Sequence, residues 1–188
     1  MKVKFIFLVA LGVLFVSCKT TEKAAQTAVQ PAAKSKGTET VQKIEIAEDA
    51  EYSRSVSALS GTKVSYDDFQ RDKAAILTVI ADLDKSMKNR DYNLWRSYLT
   101  PGSISYWNNK FNLQVIATKL PKKGLTLRNL GDYFTHVFIP SRIDRKVNEI
   151  RYIAPSEVKA VEVQDNKDII YYEFEKIDGR WLVKLPTL

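Results

Sequence analysis

Tyr171-Tyr172-Glu173-Phe174-Glu175-Lys176-Ile177-Asp178-Gly179-Arg180-Trp181-Leu182-Val183-Lys184 alternates largely between apolar and polar residues on both sides of Asp178-Gly179. Asp-Gly between two alternating runs is a strong hairpin signal, because a two-residue turn needs positive φ at both central positions. The turn sets Ile177 opposite Arg180. Counting back from it pairs Phe174 with Val183, Tyr172 with Leu185 and Glu173 with Lys184. Apolar then meets apolar on one face, and acid meets base on the other.

Two further strands precede this hairpin. The four predicted strands are Val147–Ala154, Glu157–Gln164, Asp168–Ile177 and Arg180–Pro186. A tight turn at Asn166-Lys167 would place Val161 beside Tyr172 and Val163 beside Ile170. One at Pro155-Ser156 would place Ile150 beside Val161. A single buried row, Ile150, Val161, Tyr172 and Leu185, then crosses the sheet, and a one-residue slip would scatter it. In this register Lys159 and Lys176 lean inward, and the last three strands send no carboxylate inward.

The pattern upstream has period 3.6. Ser65-Tyr66-Asp67-Asp68 resembles a capping box and opens a helix reaching about Asn89. Ile76, Ile80, Leu83 and Met87 form its apolar stripe, with Asp72, Lys73, Asp82 and Lys85 off it. Asp91 caps a short helix, Tyr92 to Leu99, which Thr100-Pro101 stops. A third helix is expected over Ser103 to Lys119. A fourth is expected over Leu127 to Phe138, with Leu130, Phe134 and Val137 on one side and its end before Pro140. Helices followed by a meander predict an α+β domain over 65–188, its N-terminal helices packed on one face of a curved four-stranded antiparallel sheet.

The other end of the chain speaks of location. Met1-Lys2-Val3-Lys4 is basic, Phe5 to Val16 is apolar or small, and Phe15-Val16-Ser17-Cys18 follows. That is the order of an export signal. An apolar run this short does not span a hydrocarbon core, which needs about 20 residues. Phe-Val-Ser-Cys resembles a bacterial lipobox, with Phe15 at the place of the usual Leu, as in the looser box of spirochaetal-type lipoproteins. The resemblance implies cleavage of residues 1–17, lipidation of Cys18 and acylation, as with palmitate, of the new N-terminus. The alternative is an ordinary secretory signal with an incidental cysteine. Lys19 after the cysteine lacks the Asp-type inner-membrane retention signal, which points to an exported protein at the outer membrane or facing the periplasm. Residues 18–61 read as lipidated cysteine and flexible tether. They are rich in Ala, Thr, Lys, Gln, Glu and Ser, and too poor in apolar surface to offset ordering entropy.

Composition narrows the function. The formal charge is +7, and loss of the signal removes two lysines to leave +5. The basic residues are interleaved with acids, so there is no nucleic-acid footprint. Cys18 is the single cysteine. Once lipidated, it leaves no thiol for a disulfide or a thiolate metal site. No cofactor or metal is expected, and the membrane is the expected partner through the lipid.

The long first helix, the Asn89-Arg90-Asp91-Tyr92 turn into a short aromatic helix, and the Tyr-Glu-Phe-Glu-Lys-Ile-Asp-Gly-Arg-Trp-Leu-Val hairpin together resemble the nuclear-transport-factor-2-like superfamily, the SnoaL-like or ketosteroid-isomerase-like cone fold. The resemblance implies a sheet curved around a pocket that the helices close. Enzymatic members place a Tyr/Asp or Asp/His set inside the cone, and no such set maps onto this chain. Fold alone does not choose among isomerases, dehydratases, cyclases and binding domains.

The candidate side chains each have a plainer role. Trp95, Tyr106, Trp107, Phe111, Phe134, Tyr172, Phe174 and Trp181 could line a small-molecule pocket or form the core. His136, the single histidine, and Asp132 could be a base and its orienting carboxylate or a surface pair one helical turn apart. Ser103 and Ser141 lack a nucleophile elbow. The Lys119–Arg128 and Arg142–Arg151 loops are basic and could meet an acidic polymer or stay solvated. The leading expectation is a non-catalytic, lipid-anchored envelope domain that binds a partner through its pocket mouth or sheet surface. The alternatives are a cone-fold enzyme acting on a small apolar substrate, and a structural or adhesive surface lipoprotein contacting acidic polymers.

Overall fold

The structure, a computed structural model, describes residues 50–188. The signal segment, Cys18 and the tether through residue 49 lie outside the described residues. Helical residues 50–56 (α1) are followed by α2 (Tyr66–Asn89), α3 (Tyr92–Ser97), α4 (Pro101–Trp107), α5 (Lys110–Lys119), α6 (Leu130–Tyr133), a π-helical turn (Phe134–Phe138) and α7 (Ile139–Arg142). Then come β1 (Glu149–Ala154), β2 (Glu157–Gln164), β3 (Lys167–Ile177) and β4 (Arg180–Lys184). The strands form an antiparallel meander in the order β1-β2-β3-β4. The protein is α+β, as the change of period in its sequence predicts.

Side-chain caps set the helix starts. The Ser65 hydroxyl accepts from the Asp68 N–H and donates to the Asp68 carboxylate at 2.6 Å. Asp91 accepts from the Leu94 N–H. α2 ends at Arg90, whose φ of 52° is left-handed. The expected third helix is two helices. Thr100 caps α4, with Pro101 in its first turn, and Asn109 caps α5 by accepting from the Phe111 N–H. Asn109 offers the chain a new helix start, and that breaks the run.

The expected fourth helix begins later, at the Asn129 cap, and runs past Pro140 to Arg142. It passes the proline by widening. The Ile139 N–H donates to the Phe134 carbonyl five residues back. A proline in a regular α-helix would lose a hydrogen bond and crowd the carbonyl four residues back. A π turn just before it relaxes that geometry. The widened turn also re-aims the side chains, so Phe138 is fully buried while Val137 is only partly so.

The hairpin at Asp178-Gly179 has the predicted register: Ile177 faces Arg180, Phe174 faces Val183 and Glu173 faces Lys184. Both turn residues have positive φ. The other two hairpins differ from expectation. The β2–β3 turn is Asp165-Asn166, with φ of 50° and 60°, and not Asn166-Lys167. Asp and Asn tolerate the left-handed region and Lys does so poorly. Val161 therefore pairs with Ile170, and Val163 with Asp168. A bulge then brings Ala160 opposite Tyr172. Another irregularity, between Tyr152 and Ala154, brings Ile150 opposite Ala160. The buried row is Ile150, Ala160 and Tyr172, with Val161 one step aside. The β2–β3 bulge has a clear use. Without it, Glu157 and Lys159 would face Phe174 and Tyr172. With it, Val158 and Ala160 face the core and Lys159 lies on the outer face, contrary to its expected inward lean.

The domain also starts earlier than residue 65. In α1 Ser55 donates to the Ile150 carbonyl at 2.6 Å, and Arg54 forms a two-pronged contact with Glu149 on β1. Nearby, Tyr52 donates to the Val64 carbonyl. Arg54 and Ser55 hold this helix to the sheet edge, while the Tyr52 ring packs on Tyr66 and Phe69 and Glu51 pairs with Lys73 of α2.

Candidate functional site

Where the helices meet the inner face of the sheet, the carboxylate of Asp72 is buried. Asp72, on α2, is 7% exposed. Tyr152 donates to its Oδ2 at 2.9 Å, while Trp181 Nε1 and Lys176 Nζ donate to Oδ1 at 3.0 and 2.8 Å. Three strands are thereby tied to one helix through a single group. The expectation that places Asp72 off the apolar stripe is corrected. The buried face runs Phe69, Asp72, Ile76, Val79, Leu83 and Ser86–Met87. Asp72 sits three residues after Phe69 and four before Ile76, a spacing that places it on that face. Burial, then the hydrogen bond to Asp72 and its charge, push the Tyr152 phenol far above its ordinary value. All three donors, one of them an ammonium, converge on the two oxygens of this one carboxylate. This cluster is a clamp.

The remaining space between helices and sheet is filled by rings. Trp95 stacks on Phe134 with centroids 4.7 Å apart and meets Phe138 at 5.1 Å. Phe138 continues to Tyr172, and Tyr172 to Phe174. Trp107 packs on Tyr133 at 4.4 Å. Of the eight aromatic candidates from the sequence, Trp95, Trp107, Phe134, Tyr172, Phe174 and Trp181 are thus core residues, each at most 4% exposed. Tyr106 is half-buried; its ring meets Trp107 edge to face at 5.1 Å, and its hydroxyl accepts from the Leu188 N–H at 2.9 Å. Phe111 is 67% exposed at the start of α5. Tyr172 also borders a cleft of about 130 Å³, with Arg142 and Lys184.

His136 is exposed on the π turn, and Asp132 turns back to accept from the Arg128 N–H at 2.8 Å. Asp132 thus joins Asn129 in holding the start of α6. Ser103 is buried and structural. Its hydroxyl accepts from the Leu185 N–H at 2.8 Å and lies 2.8 Å from the Thr100 hydroxyl. The Lys119–Arg128 loop is solvent-exposed at its cations. The Arg142–Arg151 group does not act as one patch. Arg151 pairs with Glu149 and Asp168, Arg145 lies over the Tyr171 ring, and Arg142 lies over Phe138 and Tyr172.

A wide opening lies on the other side of the sheet. A groove of about 640 Å³ runs between Arg54 of α1 and the outer faces of β1, β2 and β3, with Arg151, Ile153, Lys159 and Ile170 along it. Ile153 and Ile170 are exposed. Its ion pairs hold Glu149 in its charged form. Burial alone would raise that pKa, but the hydrogen bonds and charges of Arg54 and Arg151 outweigh it and bring it below the ordinary value. Sequence periodicity does not reveal this groove, because α1 builds one wall and a bulge turns Lys159 to face it. Among the described residues no helix is long and apolar enough to cross a membrane.

Neither a family model nor a solved structure matches the chain. A relative from Treponema pallidum (strain Nichols), described as an uncharacterized lipoprotein, is 34% identical over 126 residues, which cover 67% of this chain and 67% of that protein. The chain belongs to the family of this treponemal lipoprotein.

Proposed function

We propose that the protein is anchored by a lipid on Cys18 and presents a non-catalytic α+β domain that binds a partner in the cell envelope through the outer face of its sheet. One observation carries this reading. Aromatic rings fill the interior between helices and sheet, while the wide groove lies outside, along β1, β2 and β3. An enzyme of the cone-fold type needs a titratable group facing substrate, and the inward carboxylate, Asp72, is occupied by three donors. The order of elements, with a long first helix, a short aromatic helix and a closing Asp-Gly hairpin, supports a nuclear-transport-factor-2-like domain whose cone is closed. The lipid anchor is supported by the Phe15-Val16-Ser17-Cys18 box and by the lipoprotein relative.

Two measurements test this. Cys18→Ala should abolish incorporation of labelled palmitate and move the protein out of the membrane fraction with its fold unchanged. Equal partition of mutant and wild type into membranes would refute the anchor. Photo-crosslinkers placed in cells at Lys159 or Ile170 should give a discrete adduct, and one at Leu77 on the exposed side of α2 should not. A discrete adduct from Leu77 alone would refute the outer-face reading.

A further inference from the structure

Among the described residues, Arg142 is a cation with no counter-ion within 4 Å. Its guanidinium lies 4.6 Å from the Phe138 ring centroid and 5.7 Å from that of Tyr172. Nε donates to the Tyr171 carbonyl at 2.9 Å and Nη1 to the Ser141 hydroxyl at 2.7 Å. Among the described residues, no carboxylate oxygen lies within 4 Å of it, whereas Arg54 and Arg151 each have one. Nη2 makes no hydrogen bond among the described residues, and Arg142 borders the cleft of about 130 Å³ that Tyr172, Glu173 and Lys184 also line. A partly buried charge is costly unless something pairs with it. Aromatic faces and a carbonyl oxygen offset part of that cost, and burial still lowers the guanidinium pKa. The group remains cationic at neutral pH. Lys184 at the rim is tied to Glu157 across the sheet, and Glu173 is the acid at the same rim.

We propose that the cleft between α7 and the β3–β4 hairpin is an anion site, in which Nη2 of Arg142 holds a carboxylate or phosphate oxygen and the Phe138 and Tyr172 rings hold the guanidinium flat. The cleft has room for one such group. The ligand is a small anion or the anionic end of a larger molecule, a lipid headgroup included. Rings on Arg142 fix the fork before the ligand arrives, which lowers the ordering cost of binding. This site lies at a different place from the outer groove and does not depend on it.

The test is a thermal-unfolding titration of the detergent-purified full-length protein at constant ionic strength. Inorganic phosphate and acetate are titrated against a chloride reference, and a short-chain phosphatidylglycerol forms a separate arm. A saturable rise in Tm is expected with phosphate or acetate. Arg142→Gln should abolish it, and Arg142→Lys, which keeps the charge but loses the fork, should weaken it about tenfold. Glu173→Gln should tighten it, since the rim acid repels the anion. An Arg142-dependent response to the lipid alone also supports the site and identifies a headgroup as its source. The proposal is overturned if no probe saturates, if Arg142→Gln and wild type respond alike, or if Glu173→Gln destabilises the protein and abolishes the response. That last result would make Glu173 the counter-ion in solution.

Discussion

On the inner face of the sheet, Tyr152, Tyr172, Phe174 and Trp181 are sealed under the helices, and the one carboxylate among them is occupied by three donors. On the outer face, Ile153 and Ile170 stand exposed at 43% and 48% beside Arg151 and Lys159, along an open groove. The same four strands build both faces. The difference separates the face that carries stability from the face proposed for recognition. Close-packed rings leave no room for a ligand to enter without opening the core. A half-apolar, half-charged groove costs little to keep open and offers both area and charge to a partner.

The sharpest way to break this contrast is Phe174→Ala. Its ring is 1% exposed, and its loss should cost about 3–5 kcal/mol in denaturant unfolding. A cost below about 1 kcal/mol would mean that the inner face is loosely packed and could admit a ligand. Asp72→Ala comes next. Removing one partner of a buried pair costs about 3–5 kcal/mol, and the partly exposed Lys176 ammonium brings the expectation to the low end, about 3 kcal/mol. An unchanged stability would show that Asp72 is held for chemistry and not for the clamp.

Acid should sharpen the comparison at the groove wall. The Glu149 pKa is lowered in the folded protein, so its contribution is present above its unfolded value, about 4.3, and is lost as pH falls through the lower folded value. Amide exchange in α1, residues 50–56, should quicken below about pH 4 while the amides of β3 and β4 stay protected. Glu149→Gln should remove the pH step. Equal quickening in both regions would show that α1 is part of the core. The smallest effect is expected on the outer face itself. Ile170→Thr and Lys159→Ala should each change stability by no more than about 0.5 kcal/mol, while lowering yield in cross-linking to a partner. A large loss of stability would mean that the groove is structural.

How much of this could be read beforehand depended on how local the decision was. The β3–β4 register followed from Asp178-Gly179 because a two-residue turn dictates the pairing of everything beside it. The register beyond Tyr172 did not follow, because Asp165, Asn166 and Lys167 offered more than one turn and a bulge at Tyr171 corrected the parity afterwards. The split between α4 and α5 hung on the Asn109 side chain, which could either cap or continue. Asp72 escaped notice because a charged residue on a helix is normally read as solvated. Only the strands carrying Tyr152, Lys176 and Trp181, 80 to 109 residues further along, give it partners.

The chain by itself determined its order of helices then meander, its closing hairpin and the capped starts at Ser65 and Asp91. Each of these rests on neighbours within a few residues, where backbone preference and side-chain capping act directly. Tertiary structure alone decided that the inner space is filled, that α1 closes one wall of an outer groove, and that Arg142 lies against two rings with no carboxylate oxygen within 4 Å among the described residues. Those outcomes depend on which distant surfaces meet and on what volume is left between them, and no short stretch of sequence carries that quantity.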